Sequence, residues 1–322
     1  MKNLFAAFLM SAPTVLAADI NSVIDQHILP GYAAFAREAN ALALDANDCQ
    51  HDLKPAFNKA FDAWLMISHI QFGPIEDQGT GLAIAFWPDP KDNTGKALGR
   101  LISEQDAAIT DFDAFAEVSV AAQGLFALER LLYDMPDQSD YICGLTQAIT
   151  KQFAHTASAL SEAWATEHAE ILRTPNAENN VYKSPVEAKR VLYTALSSGL
   201  EFVQDKRLGR PLGTYSRSRP IRAEARRSGR SLHNIELSLL ALHDLATRLA
   251  DHDIPKTDAA FARAIRRARE LEDPDLQGTA TPIGRLRVEV LQQNVGSIRQ
   301  TIIDEIGAAL GVRAGFNSLD GD

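Results

Sequence analysis

The sequence predicts an all-α protein built from two helical bundles packed together. Three observations lead there: apolar residues recur at helical spacing almost throughout, short alternating β-branched runs bounded by turns are missing, and helix-start signals recur in the second half. Residues 19–175 form the expected N-terminal bundle. Ile20, Ile24, Ile28, Tyr32 and Phe35 make its first stripe, with Pro30 bending or shifting the early turns. Phe57, Phe61, Trp64, Leu65 and Ile70 make a second, and an apolar helix runs from about Ser119 to Tyr133. An uninterrupted pattern then extends from Asp140 to about Leu172, weakened at its start by Gly144. Between Arg173 and Lys183 lies the best linker candidate, so the C-terminal bundle is placed at 176–322. There Ser184-Pro185-Val186-Glu187 supplies a capping serine, a proline at the first helical position and a glutamate able to reach back. Thr257-Asp258 reads as the cap of a helix ending near Arg269, and Thr281-Pro282 opens one reaching about Leu310. The stretch 72–95 resists a helical reading, with Gly73-Pro74, Gly79, Gly81, Pro88 and Pro90 around Phe86-Trp87, and is expected to be a long loop.

Residues 1–18 read as a cleavable secretory leader, with Lys2, an apolar Leu4-to-Met10 core and a small-residue exit. The apolar run is too short to span a bilayer, and no cysteine lies near the cut to carry a lipid. The expectation is therefore a periplasmic protein without a transmembrane segment. The formal charge of −10, together with export, argues against nucleic acid as the main partner. The two cysteines, Cys49 and Cys143, either form a disulfide, permitted in that compartment, or stay as buried thiols. They are too few for a cysteine-rich zinc site.

Residues 206–230 hold nine Lys/Arg and one acid, Glu224, in an otherwise acidic chain. Such a cluster repels itself unless acids elsewhere or a bound anion compensate. Glu224, Arg227, Ser228, Ser231 and Asn234 recur at helical steps and form one polar stripe, suited either to oxyanion recognition or to arginine–carboxylate locking. Glu129, flanked by leucines in the 119–133 helix, needs a partner from another element, or else sits at the helix edge, solvated or paired to an arginine. His233 and Glu236 share a helix face and are either a start for a metal site or a solvated pair. The segments around Glu129 and Glu236 align on each other, the pattern that an internal duplication would leave and that leucines at helical spacing also produce by chance. No Gly-x-Ser-x-Gly turn, phosphate-cradling Gly-rich loop or His-Glu-x-x-His helix occurs.

At Phe86-Trp87-Pro88-Asp89, Gly124 to Glu129, Lys206 to Gly213 and Glu224 to Asn234 the sequence resembles the imelysin-like family of exported bacterial proteins. Order and spacing of these pieces cover nearly the whole chain after the leader, and the Arg227-to-Asn234 run is the most specific. The resemblance implies two related bundles around a cleft, a link to iron uptake and a peptidase classification. It also implies a metal site, iron or another divalent ion, at a GxHxxE signature. Gly124 and Glu129 match that signature, but Phe126 stands where histidine should be and cannot ligate a metal. Glu129 and His69 are the ligand candidates that remain.

The resulting expectation is a non-catalytic periplasmic binding protein associated with iron acquisition. Its cleft would be lined by Trp87, Asp89, Gly124, Phe126, Glu129, Arg210, Glu224, Arg227, Ser228, Ser231 and Asn234, and would take a small ligand or metal chelate. The alternatives are a metal-dependent peptidase with Glu129 as general base, and a scaffold contacting an outer-membrane transporter or another periplasmic protein.

Overall fold

The computed structural model describes residues 20–135 and 139–311, so the leader read at 1–18 lies outside the described residues. The first helix, α1 (20–45), buries Ile24, Ile28, Tyr32, Phe35, Ala39 and Leu42 along one face. Proline at position 30 has no N–H to donate, and the turn before it, Ile24–Ile28, is widened to π geometry, with Leu29 N–H reaching Ile24 O. Beside α1 lie α2 (Lys54–Leu65), α6 (Gly124–Tyr133) and the long α7 (140–173), with three short helices, α3 (Thr80–Ile84), α4 (Asn93–Glu104) and α5 (Phe112–Ala116), between α2 and α6. Aromatic contacts tie them together: Phe35 meets Trp64 of α2 and Phe153 of α7, each at 5.3 Å, and Tyr32 stacks on Trp164 at 5.7 Å. Cys49 and Cys143 meet where α1 ends against α7, with Cα atoms 5.6 Å apart, as a disulfide requires.

The second group comprises α8 (185–212), α9 (Ser231–Leu249), α10 (Pro255–Arg269) and α11 (282–307). Ser184 Oγ accepts from Glu187 N–H, and the Glu187 carboxylate reaches back to Lys183 N–H at 2.6 Å. Thr281 caps α11 through Gly284 N–H. The cap read at Thr257-Asp258 is corrected: α10 begins at Pro255, and its first N–H groups, on Lys256 and Thr257, donate to the Glu305 carboxylate of α11. A remote side chain does there what a local cap would have done.

The fold is all-α, and among the described residues no helix is long and apolar enough to cross a membrane. The expected boundary near 175 falls in the turns between α7 and α8, where Asn179 Nδ2 donates to Ile171 O and Thr174 O. α9 packs against the first turn of α1 and against α2, and the buried apolar residues of both halves form one continuous cluster.

Three expectations at the local level are corrected. The 72–95 stretch is not structureless: Gly73–Gly79 forms a 3-10 turn and α3 follows, leaving only about 85–92 outside helices before α4. The helix read from Ser119 begins instead at Gly124, after a short 3-10 turn and an extended Gln123. The helical stripe from Glu224 to Asn234 is broken, since α9 starts only at Ser231 and the residues before it include positive φ at Ala225 and Gly229.

Candidate functional site

The site is assembled where α3, α6 and the 213–230 segment meet. Gly124 opens α6 with φ +65°, and a Cβ there would lie 2.2 Å from Ala83 O and 2.3 Å from Ile84 O. Only glycine lets the end of α3 rest on the start of α6. The chain leaving α3 then carries Trp87 over Phe126, with ring centroids 6.5 Å apart and nearly parallel, and Phe126 meets Phe61 edge-on. Asp89 anchors the far end of this loop. Its two carboxylate oxygens accept the N–H groups of Asn93 and Thr94 at the start of α4. Burial would raise that carboxyl, but these backbone bonds outweigh it and hold it below the ordinary range.

Glu129 lies three residues past Phe126 and is 1% exposed. Its Oε1 accepts both Ser228 N–H, at 2.9 Å, and Ser228 Oγ–H, at 2.8 Å, so its partner does come from another element. Burial raises its pKa above 4.5, against the pull of Ser228 and Arg227. The folded state therefore holds this proton more tightly than the unfolded chain does. The contribution of Glu129 to stability is greatest at low pH and declines as pH rises from 4.5 through the folded value. Glu129→Gln keeps an acceptor for Ser228 and should remove that decline. Glu129→Ala should cost about 1–3 kcal/mol by stranding the Ser228 donors. Urea titrations of both variants on either side of that window check the pair.

Behind this layer sits a buried ion pair. Arg207 Nε donates to Glu224 Oε2 at 2.7 Å, with the two side chains 6% and 5% exposed. Asn234 Nδ2 donates to the same oxygen, Ser231 Oγ donates to Glu224 O, and Arg207 Nη1 donates to Ser238 Oγ. Arg207 comes from a π turn, Phe202–Leu208, inside α8, and lies over the Phe202 ring at 4.9 Å. Glu224 is thus the compensating acid for one arginine of the basic stretch. Others are used structurally as well: Arg227 pairs with Asp134, and Arg230 with Asp62 and Asn58 while lying over Phe61.

Two cavities result. The first, about 440 Å³, is lined by Trp64, Ile75, Leu82, Phe202 and Leu242, with Ser68, His69, Gln71, Arg207 and Glu224 supplying polar groups. The second, about 420 Å³, is lined by Asp89, Glu129 and a group of arginines that includes Arg210 and Arg227. Trp87 and Phe126 line both and form their shared wall. His69 Nε2 lies 2.9 Å from His27 Nε2, and His27 Nδ1 lies 2.6 Å from Asp244. Burial, then the charges of His27 and Arg207, push His69 well below its ordinary value. Burial would raise Asp244, but hydrogen bonds from His27 and Arg248 bring it down to about 2.

The predicted residues therefore divide. Trp87, Asp89, Phe126, Glu129, Arg210, Glu224 and Arg227 line one cavity or both. Ser228 and Asn234 hold the two buried carboxylates in place, Ser231 holds the Glu224 backbone carbonyl, and Gly124 is a contact point for backbone. His69 does not join Glu129; each belongs to its own network. The imelysin-like signature implied a metal here, but the donors present do not fit one: Phe126 offers no lone pair and Glu129 is engaged by Ser228. Among the described residues no group of three or more His, Cys, Asp and Glu is placed to hold a metal ion. The His233/Glu236 pair does not start a metal site, since His233 bonds to Asp62 and Glu236 to Arg269. Glu236 is a surface partner whereas Glu129 is buried, so the aligned segments do not share a role. Sequence reasoning missed Arg207, Phe202, His27 and Asp244. The need of lone Glu224 for a cation was the available signal for Arg207.

Comparison with known proteins places this architecture. The chain is 21% identical to iron-regulated protein A of Synechococcus elongatus (strain ATCC 33912 / PCC 7942 / FACHB-805), over 93% of this chain and 88% of that protein. Its fold matches the crystal structure of an imelysin-like protein from Psychrobacter arcticum 273-4, with TM-score 0.75 and 18% identity over 92% of this chain and 96% of that one. It also matches a candidate iron-regulated protein A precursor from Parabacteroides distasonis ATCC 8503, with TM-score 0.68 and 13% identity over 89% and 94%. The imelysin family model (peptidase family M75) matches residues 28–302, and the chain belongs to that family.

Proposed function

We propose that this protein is an exported, periplasmic binding component associated with iron acquisition, taking a small ligand such as an iron chelate without turning it over. The observation that carries this reading is the 440 Å³ cavity, whose aromatic and aliphatic walls surround a few convergent polar groups, Arg207 and Glu224 among them. The names of the relatives supply the link to iron, and the precursor description of one structural neighbour fits the leader read at 1–18. A metal chelate is preferred to a bare ion because the signature position holds Phe126. A peptidase reading would make Glu129 the general base, and that carboxylate already accepts two bonds from Ser228.

Gly81 offers a clean test. It lines the cavity, and a Cβ there would meet nothing closer than Gln71 Oε1 at 3.5 Å. Gly81→Leu should therefore fill the space while stability stays within about 1 kcal/mol of wild type. Native mass spectrometry of protein recovered from the periplasm should show a small molecule held by wild type and absent from Gly81→Leu. A bound species retained equally by both would remove the cavity from consideration.

A further inference from the structure

The second cavity carries more positive charge than the fold uses. Six arginines line it: Arg130, Arg210, Arg219, Arg222, Arg226 and Arg227. Arg130 pairs with Asp92 and Asp134, and Arg227 with Asp134. Of the three acids in the lining, Asp92 is taken by Arg130, Asp89 by the α4 amides and Glu129 by Ser228. Among the described residues no carboxylate lies within ion-pair distance of Arg210, Arg219, Arg222 or Arg226. Arg210 stands at the shared wall, its guanidinium 5.7 Å from the centre of the Trp87 ring. Its Nε is buried with no hydrogen-bond partner. An N–H left in that state costs free energy until an acceptor arrives.

We propose that this compartment is an oxyanion subsite, in which Arg210, Arg219 and Arg222 take a carboxylate or phosphoryl group beside the Trp87 indole. It rests on the reading of the cleft as a ligand site and gives that ligand an anionic end. The Arg222 charge acts on both of the others. Burial, then the charge of Arg222, lowers Arg210; burial, then Arg217 and Arg222, lowers Arg219. A bound anion would relieve that repulsion, and the planar guanidinium fork suits both oxyanions.

The test is calorimetric titration of the mature protein with inorganic phosphate and, separately, citrate, at low and at high salt. Saturable binding of at least one probe is expected, weaker at high salt. It should weaken about tenfold or more in Arg210→Met, which keeps an apolar stem over Trp87, and in Arg222→Gln, an exposed position that cannot unsettle the core. Preference for citrate assigns a carboxylate ligand, and preference for phosphate a phosphoryl one. Binding of neither probe at low salt, or affinities unchanged in both variants, overturns the proposal. Gly81→Leu separates the two readings. If it ejects the cavity ligand while neither anion binds wild type, the subsite alone fails. Arginine-dependent anion binding with an unaltered cavity ligand in Gly81→Leu would fail the cavity reading alone.

Discussion

Glu224→Ala is expected to destabilise the protein by about 3–5 kcal/mol, because it leaves the Arg207 guanidinium buried without its counter-charge. The loss is larger than for a surface pair because Asn234 Nδ2 loses the same acceptor. Glu224→Gln keeps an oxygen for these donors and should cost clearly less. The pair's net worth is a separate matter: a joint Arg207→Met, Glu224→Leu replacement should recover much of what Glu224→Ala loses, since buried ion pairs often only break even against apolar packing. Urea denaturation of the three variants decides it. A Glu224→Ala loss below about 1 kcal/mol would mean that water reaches the pair.

Gly124→Ala should cost about 2–5 kcal/mol from two sources that can be separated. One is the positive φ, worth about 1–2 kcal/mol for a residue with a Cβ. The other is the collision with Ala83 O and Ile84 O, which forces a backbone shift costing about 1–3 kcal/mol. Gly229 is the control: its φ is +67°, yet nothing lies within 4 Å of its Cβ position. Gly229→Ala should show the conformational cost alone. The Gly124 variant should also shift the Trp87 fluorescence, because α3 can no longer seat against α6. Equal losses in the two variants would show that the α3–α6 contact is not rigid. On this account the signature glycine keeps a structural duty in this chain although Phe126 has replaced the histidine.

Much of the fold was legible because helical spacing and caps are local signals. The 24/28/32/35 stripe, the Ser184-Pro185 start and the Thr281-Pro282 start all lie in consecutive residues, and each forms as read. What failed to show depends on distant partners. α10 is capped by Glu305, far along the chain, so Thr257-Asp258 gave a false cap. The Glu224-to-Asn234 spacing looked helical because its polar residues do converge, but they do so through a loop whose Ala225 sits at φ 46°. Alanine there carries no signature of such a conformation. Arg207 was hidden for a related reason: a π turn within α8 brings it to Glu224, and nothing in the local pattern marks that turn. The aromatic wall was half visible. Trp87 and Phe126 were singled out separately, and only the Gly124 contact explains why they stack.

The most direct test of the cleft as a chelate site is a fluorescence titration of the protein with ferric citrate, beside ferrous ion alone under anaerobic conditions. Trp64 and Trp87 both line the cavity and report on its filling. A saturable change with ferric citrate that is lost in Gly81→Leu is expected, with no stoichiometric response to the bare ion. Stoichiometric binding of ferrous ion that survives Gly81→Leu and disappears in Glu129→Ala would contradict it and restore a metal centre at the signature position.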